Sequence, residues 1–230
     1  MTHQSQIYLA DTYLYEIDTE IIGVETSPED TRIALAKNIF HPQGGGQPDD
    51  RGTVADLAVR PFKDPGSGLV WLTAQSEAGV SFGRLAEGER VSSRIDPELR
   101  RLHAALHTAG HLVDALARPH GFQHTGNNHF PGQARIEYAV DGVVFDKDEL
   151  STALTVGLEK AIAEGLPVTS GERDGLRTIT IEGLATEFCG GTHVTDLSLL
   201  TNVSIRSVKV KSGRLRIGYT AAHVESGGEE

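Results

Sequence analysis

At Asp96 the sequence changes period, and that change restricts the chain to folds with a β-rich first part and a second part built around helices. Before it, short apolar segments (IALAKNIF, GTVADLAV, GLVWLTAQ) alternate with Gly, Pro and Asp clusters such as HPQGGGQPDDRG and KDPGSG. That punctuation suits short strands in a small sheet or barrel. After it, Leu99, Leu102, Leu106, Ala109, Val113 and Leu116 recur at steps of three and four, the stripe of a core-facing helix. Asp96 is placed to cap that helix, Pro97 fits its first turn and Glu98 suits its positive end. Pro119 stops it.

Further on, ARIEYAV and VVFD flank Asp141-Gly142, which predicts a hairpin. A second helix follows, with Asp146 and Glu149 at capping-box spacing and Leu150, Leu154, Leu158 and Ala161 as its stripe. Gly165 and Pro167 end it. RTITIE, VSIRSVKV and RLRIGY read as strands, the last two joined across Ser212-Gly213. The pattern predicts an α+β chain: a β-barrel-like domain over residues 1–92, then residues 93–230 with two long helices and a mostly antiparallel sheet.

Charge bears on partners. The formal net charge is −11, which by itself argues against nucleic-acid binding. The charge is uneven, however. Arg206, Lys209, Lys211, Arg214 and Arg216 fall within Thr201–Tyr219 with no acid among them. Arg90, Arg94, Arg100 and Arg101 form a second group. The plain reading of both groups is a solvated face. There is one cysteine, the start lacks the charged and apolar regions of a signal peptide, and no apolar run has the length to span a bilayer. These features lead us to expect a reducing, cytoplasmic setting without a membrane partner.

The lone cysteine lies in CGGTH, four residues before His193. The first helix carries HTAGH, which sets His107 and His111 on one face. Cys189, His193, His107 and His111 together make a plausible tetrahedral set for Zn²⁺. Sulfur and nitrogen donors without a carboxylate disfavour Mg²⁺ and Ca²⁺. The spacing leaves other readings standing. His103 and His107 are also four apart, and a lone Cys is often a packing residue.

HTAGHLVDA, QARIEY, EGLPV, FCGGTHV and GRLRIGY occur here in the order seen in the editing domain of alanyl-tRNA synthetase. HPQGGGQPDDRG resembles the glycine-rich motif of the domain that precedes it. The stretch before residue 90 is too short for an adenylate-forming domain, so the chain resembles the free-standing AlaX-type trans-editing proteins, from about Asp11 to Tyr219. The resemblance implies a translation-protein-like β-barrel, then a two-layer α/β editing domain. It implies hydrolysis of the ester that joins a wrong amino acid to tRNA(Ala), seryl-tRNA first and glycyl-tRNA second. It also implies one zinc per chain, held by His107, His111, Cys189 and His193, and places Gln47 of the glycine-rich motif near the editing pocket. Gln47 and Thr108 are then the candidates to position water. Arg206, Arg214 and Arg216 alternate in strands, where they can share an outward face for tRNA phosphates.

Two positions depart from the family pattern. Asn38 stands in NIFHP where a Thr-x-Phe-x-Pro run often places a threonine associated with the serine hydroxyl. DLSLLTN follows CGGTH in place of a Gly-Glu-Ile-Gly-like turn. Both bear on substrate choice. Two rival readings are a hydrolase of the same fold acting on another aminoacyl-tRNA or a small aminoacyl ester, and a non-catalytic tRNA-binding module with structural zinc.

Overall fold

The computed structural model describes residues 4–27, 31–75, 82–140 and 142–224. The chain divides into two compact units. One comprises the residues up to Gly44 together with Pro48–Arg100; the other comprises Gly45–Gln47 and the residues from Arg101 onward.

The first unit is built from strands β1 (Ser5–Gln6), β2 (Glu16–Thr26), β3 (Thr31–Leu35), β4 (Lys37–Asn38), β5 (Gly52–Val54), β6 (Leu57–Lys63), β7 (Val70–Ala74) and β8 (Arg90–Ile95). Six of them close a barrel in the order β2-β3-β7-β6-β5-β8, which leaves no free edge. Ile21, Ile33, Leu35, Val54, Val59, Leu72 and Ile95 fill the core. The segment GTVADLAV, expected as one apolar stretch, is two strands. Ala55 and Asp56 both take positive φ, at 48° and 65°, and turn β5 into β6. Two-residue hairpin turns demand that backbone, yet the Ala-Asp pair carries no glycine to announce it.

Arg100 also departs from expectation. The sequence groups it with a solvated basic face, but its side chain is fully buried. Its Nε donates to Asp50 Oδ1 at 3.1 Å, and its terminal nitrogens donate to the carbonyls of Ile39 (2.5 Å) and Thr12 (3.1 Å). Asp50 Oδ2 takes a second Arg100 contact and the His41 amide at 2.6 Å. A buried guanidinium persists only with partners of this kind, and these partners lie 50 to 88 residues away in sequence.

Helix α1 spans Pro97–Ala117. Asp96 Oδ1 accepts the amides of Glu98 and Leu99, both at 3.0 Å, so the cap is where it was expected. The remaining elements are β9 (Gln123–Asn128), β10 (Arg135–Ala139), α2 (Lys147–Ala163), β11 (Val168–Arg173), β12 (Leu176–Ile181), β13 (Ala185–Phe188), β14 (Leu200–Lys211) and β15 (Arg214–His223). They form a four-stranded sheet in the order β14-β15-β10-β9 and a three-stranded sheet, β11-β12-β13, with antiparallel pairing throughout. Leu106, Ala109, Leu112 and Val113 of α1 share one core with Leu150, Leu154, Leu158 and Ala161 of α2 and with Ile136, Tyr138, Leu215 and Ile217 of the sheet. The architecture is α+β. Among the described residues no helix is long and apolar enough to cross a membrane.

Asp146 caps α2 as expected, accepting the amides of Asp148 and Glu149. Ser212 and Gly213, at φ 52° and 72°, join β14 to β15. The hairpin expected at Asp141-Gly142 turns on Asp141, which lies outside the described residues; residues 143–146 contain no strand. Both edges of β10 are already paired, with β9 and β15, so VVFD has no edge to join. Phe145 instead packs edge-on against Phe122, with centroids 4.9 Å apart.

Candidate metal centre

The helical repeat puts His107 and His111 on successive turns of α1, where their rings stack with centroids 5.1 Å apart. Cys189 directly follows β13, and the irregular segment after it returns His193 to the same place. Arg177 holds that segment: one terminal nitrogen donates to the carbonyls of Cys189 (2.8 Å) and Gly191 (3.0 Å). Gly191 is required here. A β-carbon would collide with the His107 ring and lie 2.8 Å from Gln47 Oε1.

The four donor atoms of His107, His111, Cys189 and His193 all lie within 4.8 Å of one another. Cys189 Sγ sits 3.4 Å from His107 Nε2 and 3.2 Å from His193 Nε2. A tetrahedral Zn²⁺ site with its usual bond lengths has sulfur–nitrogen edges of about 3.5 Å, and these two edges are close to that length. His103 is buried but is not part of this group.

The opposite sides of the rings supply a second test of fit. Histidines that bind a metal through Nε2 have Nδ1 held by an acceptor. His107 Nδ1 meets Gln47 Oε1 at 2.7 Å, His193 Nδ1 meets Thr108 Oγ1 at 3.1 Å, and His111 Nδ1 meets Glu187 Oε2 at 2.5 Å. Among the described residues His111 Nε2 is buried without a hydrogen-bond partner, as expected of an atom placed for a cation. Burial disfavours a positive charge at His111, but the Cys189 sulfur and the Glu187 carboxylate outweigh it; the same attraction would serve a cation that displaces the Nε2 proton.

Gln47 and Thr108 are both fully buried and engaged with this frame. Gln47 Oε1 also accepts the Thr192 amide at 3.0 Å, and its Nε2 donates to Thr192 Oγ1 at 3.0 Å. Thr108 Oγ1 accepts the Val194 amide at 3.2 Å.

Sequence reasoning missed Glu187, His129 and the residues behind them. His129 stacks on His107 with centroids 4.3 Å apart. The Tyr219 hydroxyl donates to the Leu106 carbonyl, so His129 Nδ1 donates to that hydroxyl at 2.6 Å and Nε2 is left as an acceptor. Burial, then the positive charge of His111 and His124, drives His129 down to about 3, so it stays neutral. Gly110 makes room for this pair, because a β-carbon there would come within 2.5 Å of His129 and Tyr219. Glu187 is ion-paired with Arg118, which donates to Asp114 at 2.5 Å; His124 Nδ1 lies 3.2 Å from Asp114. A single signal was available in the sequence: Glu187 sits two residues before the cysteine. A cavity of about 430 Å³ opens beside His111 and His129, and Asn127, Arg173 and Phe188 also line it.

Glu187→Gln keeps the volume but removes the anion that orients His111. Metal affinity is expected to fall by roughly 10–100-fold, measured by competition with a chromogenic chelator. Unchanged affinity would show that Glu187 does not support the site.

The basic residues occupy the exposed face of the four-stranded sheet. Lys209 pairs with Arg216 and Lys211 with Arg214, and directly opposed residues share a face. Arg206 is exposed, and its guanidinium donates to the carbonyls of Gly132 (2.6 Å) and Ala134 (3.3 Å). Arg216 lies 3.3 Å from Glu137, which also pairs with Arg135 at 2.8 Å. Asn38 is fully buried in the first unit. Its amide donates to the Phe40 carbonyl at 2.8 Å and accepts the Phe40 amide at 3.2 Å, which closes a turn.

No protein-family model matches the chain. Among curated proteins, the alanyl-tRNA editing protein AlaX-M of Methanosarcina barkeri is 28% identical, over 93% of this chain and 96% of its own length. AlaX-L of Pyrococcus horikoshii is 29% identical over 95% of the chain and 58% of its own length. The chain is similar to AlaX-type editing proteins over nearly its whole length. The alanine–tRNA ligase of Kineococcus radiotolerans is 31% identical over 82% of the chain, which spans 24% of that enzyme. The AlaX likeness thus extends to one part of a much longer ligase.

Proposed function

We propose that this chain is a cytoplasmic trans-editing hydrolase that deacylates mischarged tRNA(Ala), with seryl-tRNA as the first substrate and glycyl-tRNA as the second. The observation that carries the reading is the convergence of three imidazole nitrogens and one thiol within 4.8 Å, in a chain similar to AlaX proteins. The donor set suits zinc, with His107, His111, Cys189 and His193 as ligands. When bound, zinc supplies Lewis-acid polarisation of an ester carbonyl.

The protein groups set up the rest. Gln47, Thr108 and Glu187 fix the ring orientations, so the site is organised before substrate arrives. The cavity beside His111 receives the aminoacyl ester. Water adds to the carbonyl, the carbon–oxygen bond to the ribose breaks, and the ribose oxygen takes a proton. The products are the free amino acid and the tRNA. An added hydroxyl or methylene changes binding in a small pocket by only a few kcal/mol, so a second hydrolytic step supplies selectivity that charging lacks. A second reading, structural zinc in a non-catalytic tRNA-binding module, draws on the four protein ligands, since closed sites are commonly structural. Deacylation assays with seryl-, glycyl- and correctly charged alanyl-tRNA(Ala) separate the readings. Turnover of the mischarged species alone supports editing. Turnover of small aminoacyl esters alone supports a hydrolase of another class. Binding without turnover supports the module.

The basic sheet face is assigned to tRNA phosphates. Replacing Arg206, Arg214 and Arg216 with alanine is expected to weaken tRNA binding and lower the slope of log affinity against log salt by about one per lost contact. An unchanged slope would return these residues to a solvated face. Asn38 is assigned to substrate choice, with its turn as the competing role. In Asn38→Thr a shifted ratio of seryl- to glycyl-tRNA hydrolysis is expected; an unchanged ratio assigns Asn38 to the turn alone.

A further inference from the structure

Phe188 is the residue immediately before the thiol ligand, yet it is 49% exposed. A single exposed apolar side chain is ordinary by itself, but an open aromatic ring on a cavity wall offers a face for stacking. The Arg173 guanidinium lies 4.5 Å from the ring centroid and covers part of the ring. Phe188, Arg173 and Asn127 line the same cavity as His111. The wall thus combines an aromatic surface, a cation and an amide beside the candidate metal ligands.

Unpaired nucleotides are bound by this combination. Their bases stack on aromatic rings and Arg planes, amides meet their edges, and cations meet their phosphates. An amino acid alone does not call for it, since the ester end is served by the histidine cluster. The aminoacyl ester of a charged tRNA is carried on the ribose of the unpaired 3′-terminal adenosine. When the ester carbonyl lies at His111, the base lies one ribose away.

We propose that Phe188 is the stacking platform for the 3′-terminal adenine of the acylated tRNA, with Arg173 bracing the ring and Asn127 within reach of the base edge. The inference rests on the aminoacyl-tRNA reading of the site, but it concerns the nucleotide and not the amino acid. It makes Phe188 a substrate-binding residue that places the ester relative to the histidines.

Two RNA hairpins that copy an acceptor stem test this by fluorescence anisotropy, one ending in CCA and the other lacking the terminal A. The natural protein is expected to bind the complete end about tenfold more tightly, the scale of one stacked base. Phe188→Leu keeps an apolar side chain but removes the ring, and is expected to bind both hairpins alike. Phe188→Tyr is expected to keep the difference, and equal metal content in all three proteins verifies that the site is folded. Equal binding of the two hairpins by the natural protein overturns the proposal, as does a tenfold difference that survives in Phe188→Leu. If the terminal A matters but no aminoacyl-tRNA is hydrolysed, the editing reading fails while the platform stands.

Discussion

Cys189→Ala is expected to purify with well under one metal ion per chain, and to lose deacylation activity with it. Cys189 is the sole cysteine, and its sulfur is the atom that both His107 and His193 approach, at 3.4 Å and 3.2 Å. Alanine removes the soft donor and the negative charge, and leaves three imidazoles to bind a cation. The loss should exceed the roughly 10–100-fold that follows removal of a supporting residue. Elemental analysis and chelator competition measure it. The fold should persist, because the core of the second unit is formed by α1, α2 and the four-stranded sheet, with Cys189 only packed against it. His103→Ala is the control and should retain the metal. Undiminished metal in Cys189→Ala would remove that residue from the ligand set. Loss in His103→Ala together with a harmless His107→Ala would move the ligand pair by one helical turn.

Arg100→Met is expected to destabilise the first unit by about 3–5 kcal/mol, the usual consequence of stranding the partner of a buried charge pair. The substitution leaves Asp50, 2% exposed, with the His41 amide as its remaining contact named above. It also strips a donor from the carbonyls of Ile39 and Thr12. Arg100→Lys should recover little, because an ammonium cannot reproduce a fork that serves a carboxylate and two carbonyls. A double replacement by Met at 100 and Leu at 50 should cost less than Arg100→Met, since no unpaired charge remains. Trp71, the single tryptophan, is buried in this unit, so its fluorescence in a urea titration reports on the unit that contains Arg100. A loss below 1 kcal/mol would show that water or rearrangement satisfies Asp50.

How much was legible depended on the range of each signal. The Asp96 and Asp146 caps and the α2 stripe are local: each is specified within a few residues. Ser212-Gly213 is local in the same way, because Gly213 takes the left-handed backbone a tight hairpin needs and Ser is a common turn residue. QHTGNN escaped notice as a strand because it has no apolar alternation; pairing with β10 alone makes it β9. VVFD had the pattern of a strand and no edge to pair with. The α1 stripe was read correctly but too narrowly. His103, His107, Thr108 and Asp114 are also buried, which a single-faced repeat does not anticipate.

The sequence by itself determined the two pairs of candidate ligands, because helix geometry joins His107 to His111 and a short glycine-containing segment joins Cys189 to His193. It also determined the break between a β-rich half and a helical half, because the apolar period changes there. Only the tertiary structure decided which polar residues serve the site. Gln47 reaches Thr192 across 145 residues, and Glu187 reaches His111 across 76. It likewise decided that Arg100 is a buried clasp and not a surface charge. A polar side chain carries no mark of its own burial; the partners that satisfy it set its place, and folding brings those partners from distant parts of the chain.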